Sequence, residues 1–519
     1  MLNTALEWLS QPSNLILLKE INRGVEKEGL RVNPDASLAQ SSHPIALGSA
    51  LTHKAITTDY SESQLEFITP VFTDTAALIR DLSDLHVFTA HKLKQEQIWP
   101  GSMPCYLHDE AEIPIAEYGD SDQGRTKHLY RKGLAHRYGR RMQTISGLHY
   151  NLSLPEEIWQ HWPGYSGDKQ TQSEAYFALI RNCQRHAWLL CYLFGASPMA
   201  DKSFFSAQDS LHTISDTVSD ITSKDDSVSM NSSDYGDHVT SLRMSDCGYQ
   251  SDQQQQIKVR YSSLQHYCQD MQQVLEQPHP LLTQTRDPVS GEHLQLNNRW
   301  LQQESEHYAW IRPKPSQHTG KGLLADLQYF GVGYIELRLL DLNPFHPLGF
   351  TEQQLHFIDL FLLYCLLAES PVISQQEEQE IRCRQQTVAL EGRKPGLKIT
   401  FQNSDKTLVT AGTELLNQLQ PLAKLLDSLY SDQRYIKSLQ QQKKKLLYPQ
   451  LTPSGWIVLA AKQSGFIKLM QELAQQHHHY FIKQAISDAR WQQLEVMTTT
   501  SLSEQIKLEQ KLKHSSNYF

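Results

Sequence analysis

The chain has 519 residues, 39% hydrophobic and 20% charged, a composition able to bury a large core, and the length suggests about two or three domains. With 48 Lys and Arg against 57 Asp and Glu, the net charge of −9 excludes the globally basic surface of a nucleic-acid binder. Its first residues lack the basic segment, apolar run and small-residue cleavage site of a secretory signal. No run is apolar and long enough to span a bilayer, so a cytoplasmic protein with no membrane partner is expected. Seven scattered cysteines without a CxxC pair fit a reduced protein, and each is expected to be a buried thiol.

In chain order, alternating polar and apolar residues predict strands over Val25–Arg31, Gln64–Val71, Thr144–Leu154 and Gly333–Leu342. Helices are predicted over Ala76–Leu93 and Tyr176–Phe194, and a buried helix over Phe357–Leu367, which carries Asp359. Mostly solitary strands separated by long connections predict an α+β fold rather than a βαβ repeat. Asp201 to Thr240 is dense in Ser, Thr and Asp and has the composition of a long surface loop or lid. Beyond Gln376 the composition shifts to Gln, Lys, Glu and Leu. There Leu415, Leu419, Leu422, Leu426 and Leu429 lie along one helix face, with Pro421 requiring a kink or a helix start. This divides the chain into a core over 1–375 and a mainly helical part over 376–519 packed on it. The His477–His479 run is expected to be an exposed surface feature.

The strand candidates carry the chemistry. Two apart on one strand, Glu26 and Glu28 leave the same face. In Gly333–Leu342, Glu336 and Arg338 share a face opposite Ile335, Leu337 and Leu339. In Thr144–Leu154, His149, Asn151 and Ser153 oppose Leu148, Tyr150, Leu152 and Leu154. Were these strands neighbours, their carboxylates would repel unless cations neutralised them, and oxygen ligands of this kind suit Mg²⁺. Alternation alone, however, favours ordinary exposed strand faces paired with Lys and Arg. No GxxxxGK[ST], GxGxxG, GxSxG or HExxH motif is present, so phosphates would have to be held by metals and arginines rather than by a P-loop.

The strings RGVEKEGLRV, ALGSALTHKAITTDYSESQLEFITPV, MQTISGLHYNLSLP, YLFGASP, TSLRMSDCGY and GYIELRLLDLNPFHPLG closely resemble the proteobacterial-type glutamate–cysteine ligases. With WPGSMPCY, LYRKGL, IRPKP and LEGRKPGL, the matches run in one order from about Arg23 to Gly396. The resemblance implies a glutamine-synthetase-like fold, with a curved, mainly antiparallel sheet forming a funnel around the active site. It implies joining of the glutamate γ-carboxylate to the cysteine amine, with ATP as co-substrate and two or three Mg²⁺ or Mn²⁺ ions. By the same resemblance, Glu26, Glu28, Asp59, Glu66, His149 and Glu336 form the metal shell, and Arg243 holds the substrate glutamate. Tyr130, Tyr249 and Tyr308 line the cysteine pocket, and Arg131 and Arg338 lie near the transferred phosphoryl group. A monomer is expected. The nearer alternative is a γ-glutamyl ligase for another amine, against which the three tyrosines argue. A third reading, a dead relative kept for binding, would show losses among the six metal positions, and none is seen.

Overall fold

The computed structural model describes residues 2–164, 168–205, 237–248, 254, 256–402 and 404–515. Its centre is an antiparallel sheet of seven strands that does not close into a barrel. The strands are β1 (Asn22–Val32), β2 (Ile56–Thr58), β3 (Gln64–Ile68), β4 (Gln97–Ile98), β5 (Leu148–Ser153), β6 (Ile311–Pro315) and β7 (Val332–Leu340). They run in the order β2-β3-β1-β5-β7-β6, with β4 paired to one end of β1. The longer helices are α1 (Thr75–Lys92), α2 (Asp122–Tyr138), α3 (Lys169–Phe194), α4 (Glu352–Leu367), α5 (Gln375–Glu391), α6 (Leu408–Asp427), α7 (Arg434–Leu447), α8 (Pro453–Ser464), α9 (Phe466–Lys483) and α10 (Asp488–Ser515). The expected α+β architecture with a mainly antiparallel sheet is therefore present.

Side-chain alternation decides what each face of the sheet meets. Val25, Tyr150, Leu152, Ile335 and Leu337 are buried on one face, in a single apolar cluster with α3 and α4. Removing each such side chain from water contributes roughly 1.5–3 kcal/mol. The helices start where the sequence offers a cap. Asp74 accepts from the Ala77 amide, Asp168 from Thr171, Thr351 from Gln354 and Ser374 from Glu377. Each such cap contributes about 1 kcal/mol.

Helix α4 is buried along nearly its whole length, and its one acid is explained by its partners. The Arg23 Nε donates to Asp359 at 2.9 Å, and the Tyr150 hydroxyl donates to the other carboxylate oxygen at 2.6 Å. Leu415, Leu419, Leu422 and Leu426 of α6 are buried in the same cluster, whereas Leu429 follows the helix end. Pro421 lies inside α6 rather than at its start.

Two expectations need correction. Cys105, Cys183, Cys191, Cys268 and Cys365 are buried, but Cys383 is exposed on α5 and Cys247 is half-buried. Helical periodicity turns Cys383 outward, which residue type alone does not reveal. The His477–His479 run lies within α9, and His477 turns inward so that its Nε2 meets the Pro344 carbonyl at 2.8 Å. Among the described residues no helix is long and apolar enough to cross a membrane.

Candidate active site

The opposite face of the sheet gathers the charged residues. Antiparallel pairing sets Glu28 directly across from Glu66, and Glu26 across from His149. Asn151 lies across from Glu336, which in turn lies across from Arg312. Four acids from β3, β1 and β7, with a histidine from β5 between them, therefore converge from distant parts of the chain. Ligand atoms of Glu26, His149 and Glu336 lie within 4.8 Å of one another, as do those of Glu28, Glu66 and His149. His149 sits between the two groups. Its Nδ1 is 3.3 Å from Glu26 and 3.7 Å from Glu336, and its Nε2 is 3.4 Å from Glu28.

Electrostatics separates the carboxylates. Burial pushes Glu28 up, the nearby Asp59 charge adds to it, and the result is about 8. Glu66 is driven well above the usual carboxylate range by burial, then by Asp59, Glu26 and Glu28. Burial also acts upward on Glu336, but Arg338, Lys314 and Arg312 outweigh it and hold that carboxyl well below its usual range. Glu26 likewise ends below its ordinary value, because the His149 hydrogen bond and the Lys314 charge overcome burial and the Glu336 charge. Burial and the Arg338 charge keep His149 below its usual value, so the imidazole is neutral and competent as a ligand. The pair Glu28 and Glu66, frustrated without a cation, and a neutral histidine with oxygen donors around it form a donor set that fits divalent metal.

Cations and amides surround this cluster. Arg338 donates to Glu336 at 2.7 Å, and the Lys314 Nζ lies 3.0 Å from the other Glu336 oxygen. Asn151 donates to Glu26 at 3.0 Å, and the Gly147 amide donates to Glu28 at 2.7 Å. Lys314 and Arg312 escaped sequence reasoning. Their signal was the two-residue alternation in IRPKP, which puts both on the face that carries Glu336.

The remaining predicted residues ring the cluster. Asp59 lies outside the 4.8 Å groups, yet its charge acts on Glu28 and Glu66. Arg131 on α2 donates through Nε to the Asp59 carbonyl and stacks over Tyr118 at 4.6 Å. Arg243 is buried, donates to the Arg338 carbonyl at 2.7 Å and lies 3.6 Å from Asp341. A Cβ on Gly147 would sit 2.2 Å from the Arg243 guanidinium, so only glycine admits this arginine beside the carboxylate cluster. Tyr130 receives a hydrogen bond from Ser305 at 3.2 Å, and Tyr308 pairs with Gln143 at 3.0 Å. Tyr249 and most of the Ser/Thr-rich stretch before Arg243 lie outside the described residues.

A family model described as glutamate-cysteine ligase matches residues 6–388. The glutamate–cysteine ligase of Pseudomonas entomophila is 42% identical over 517 residues, covering 98% of this chain and 94% of that one. This chain belongs to the glutamate–cysteine ligase family. A second relative in the family, from Saccharophagus degradans, is 41% identical, covering 98% of this chain and 95% of its own. The crystal structure of the Francisella tularensis glutamate–cysteine ligase in complex with AMP superposes with a TM-score of 0.83 at 30% identity, covering 94% of both chains. A bifunctional glutathione synthetase from Pasteurella multocida shares the fold, with a TM-score of 0.70 at 23% identity, and this chain covers 57% of it.

Proposed function

We propose that this ligase joins the γ-carboxylate of L-glutamate to the amine of L-cysteine, driven by ATP, giving γ-glutamylcysteine, the first step of glutathione synthesis. The observation that carries the reading is the convergence of Glu26, Glu28, Glu66, His149 and Glu336 on one sheet face, in the fold shared with the AMP-bound Francisella ligase.

A carboxylate is a poor acyl donor. One γ-carboxylate oxygen attacks the γ-phosphorus of ATP, the bond to the β-phosphate oxygen breaks, and ADP leaves with its electron pair. The cysteine amine then attacks the acyl carbon of γ-glutamyl phosphate. The amide forms, inorganic phosphate departs and the amine gives up a proton. Such transfers depend mainly on positioning and charge neutralisation.

In this reading Arg243, fixed by Asp341 and the Arg338 carbonyl, grips a substrate glutamate carboxylate with its planar fork. Arg338 and Arg131 approach the transferred phosphoryl group from the β7 and α2 sides, and arginine suits the dispersed charge of its oxygens. Tyr130, Tyr308 and Tyr249 enclose the cysteine side chain. Two or three Mg²⁺ or Mn²⁺ ions would be held by Glu26, His149 and Glu336 and by Glu28, Glu66 and His149, with Asp59 beside them. When bound, such ions neutralise the polyphosphate. Histidine in the shell makes Mn²⁺ a credible substitute for Mg²⁺. We assign 1–375 as the ligase core and 376–519 as its helical buttress, supported by burial of α6 and α7 side chains against α4.

The test is purified protein with glutamate, cysteine, ATP and Mg²⁺. The expected result is equal release of ADP, phosphate and dipeptide. ADP release indifferent to cysteine but responsive to another amine would overturn the substrate assignment.

A further inference from the structure

A cavity of about 200 Å³ lies outside the carboxylate cluster, beside Tyr308. Its apolar walls are Ile257, Val259, Trp310, Val372 and Ile381. Two polar atoms on its lining residues, the Nδ1 of His307 and the phenol oxygen of Tyr261, are shielded from water and have no hydrogen-bond partner among the described residues. Leaving such groups unpaired costs about 1–3 kcal/mol each. They lie just behind the cavity surface, so a ligand that draws the wall inward by a small shift would relieve that cost.

The charges at the rim do not call for a charged ligand. Arg260 is held bidentately by Asp270 at 2.8 and 2.7 Å, and Arg382 by Glu378 at 2.6 Å. Burial pushes His307 down to about 3, so it offers a neutral ring. Cavities of roughly 150 Å³ lined by apolar side chains take a single aromatic ring. Apolar walls with a few convergent polar groups are the usual make-up of a small-molecule site.

We propose that this cavity is a second small-molecule site, for an uncharged one- or two-ring aromatic carrying a single O–H or N–H group, and that its occupant hinders cysteine binding. The effect on cysteine rests on the placement of Tyr308 in the cysteine pocket. The route is short. Gln254, in the cavity wall, accepts from the Tyr308 amide at 3.1 Å and donates to the Tyr138 hydroxyl at 2.9 Å. Tyr138 packs edge-on against Tyr308 with ring centres 5.8 Å apart. An occupant that shifts Gln254 therefore moves Tyr308 relative to α2, which carries Tyr130.

The test uses 4-methylphenol and indole as probes on the full-length enzyme with Mg²⁺. Binding is read by saturation-transfer NMR, and the KM values for cysteine, glutamate and ATP are read with and without probe. Both probes should bind, and 4-methylphenol should raise the cysteine KM several-fold while leaving the glutamate and ATP values within twofold. Val372→Trp, at the exposed mouth, should abolish binding and leave basal turnover unchanged. Ile381→Trp, which fills the cavity from within, should abolish binding and raise the cysteine KM as an occupant does. Absence of binding, or binding untouched by Val372→Trp, overturns the site. Binding that leaves the cysteine KM unmoved overturns its coupling to Tyr308, whereas the binding result read by NMR is independent of whether the chain is a cysteine ligase.

Discussion

Strand β1 carries charge on both of its faces, and the two faces treat it in opposite ways. Behind the sheet, Arg23 meets Asp359 and Tyr150 in a closed set, and the Lys27 Nζ lies 3.0 Å from His86 with burial pushing it down to about 7. Each group there has a protein partner or loses its charge. In front, Glu28 faces Glu66 across the pairing register, and no neighbouring cation brings either below the usual carboxylate range. The back is built to be self-sufficient, as buried ions must be when nothing else enters. The front is left frustrated, which is the signature of a face completed by a ligand.

Substitutions should separate these faces. The largest effect is expected from Glu336→Gln, which removes a charge shared by Arg338, Lys314 and the proposed metal group. Turnover should fall by about 10³-fold while the unfolding midpoint is preserved, read by steady-state assay and thermal denaturation. Near-normal activity would contradict the front-face role. Asp359→Ala should do the reverse, leaving Arg23 buried and unpaired at a cost of about 3 kcal/mol or more in denaturant unfolding. A loss of activity without a loss of stability would break the division between faces.

Proton linkage offers a finer probe. In the metal-free protein Glu28 is raised from its usual 4.5 to about 8, so folding takes up a proton and this group's contribution to stability falls as pH rises through that window. A cation must displace the proton. Mg²⁺ affinity should therefore weaken by about tenfold per pH unit below that value for each proton released. The Mg²⁺-induced gain in Tm should be larger near about pH 8.5 than near about pH 6.5, and Glu28→Gln should flatten the difference. A gain independent of pH would show that Glu28 gives up no proton to the cation. The smallest effect is expected from Lys314→Ala. Removing this cation should tighten Mg²⁺ by only about twofold to fivefold, since the Arg338 and Arg312 charges still act on Glu336, and a loss of Mg²⁺ binding would make Lys314 structural instead.

Much of the front face was legible in the chain. Period-two alternation alone put Glu26 with Glu28 and Glu336 with Arg338, and the resemblance named Glu66 and His149. Which strands adjoin was not legible from alternation, because Glu28 and Glu66 meet only through antiparallel pairing of β1 with β3. Asp359 stood out as an acid in an apolar helix, yet its partner Arg23 lies 336 residues away, beyond any local pattern. His477 and Cys383 failed for a related reason. A helix decides which way a residue points, and that depends on packing rather than on residue type.

Cations either complete the front face or leave its carboxylates metal-free. Crystals grown with Mn²⁺ and ADP, measured at the manganese absorption edge, would decide it most directly. The prediction is anomalous density among Glu26, His149 and Glu336 and among Glu28, Glu66 and His149. Manganese bound elsewhere, with the front-face carboxylates still metal-free, would contradict it.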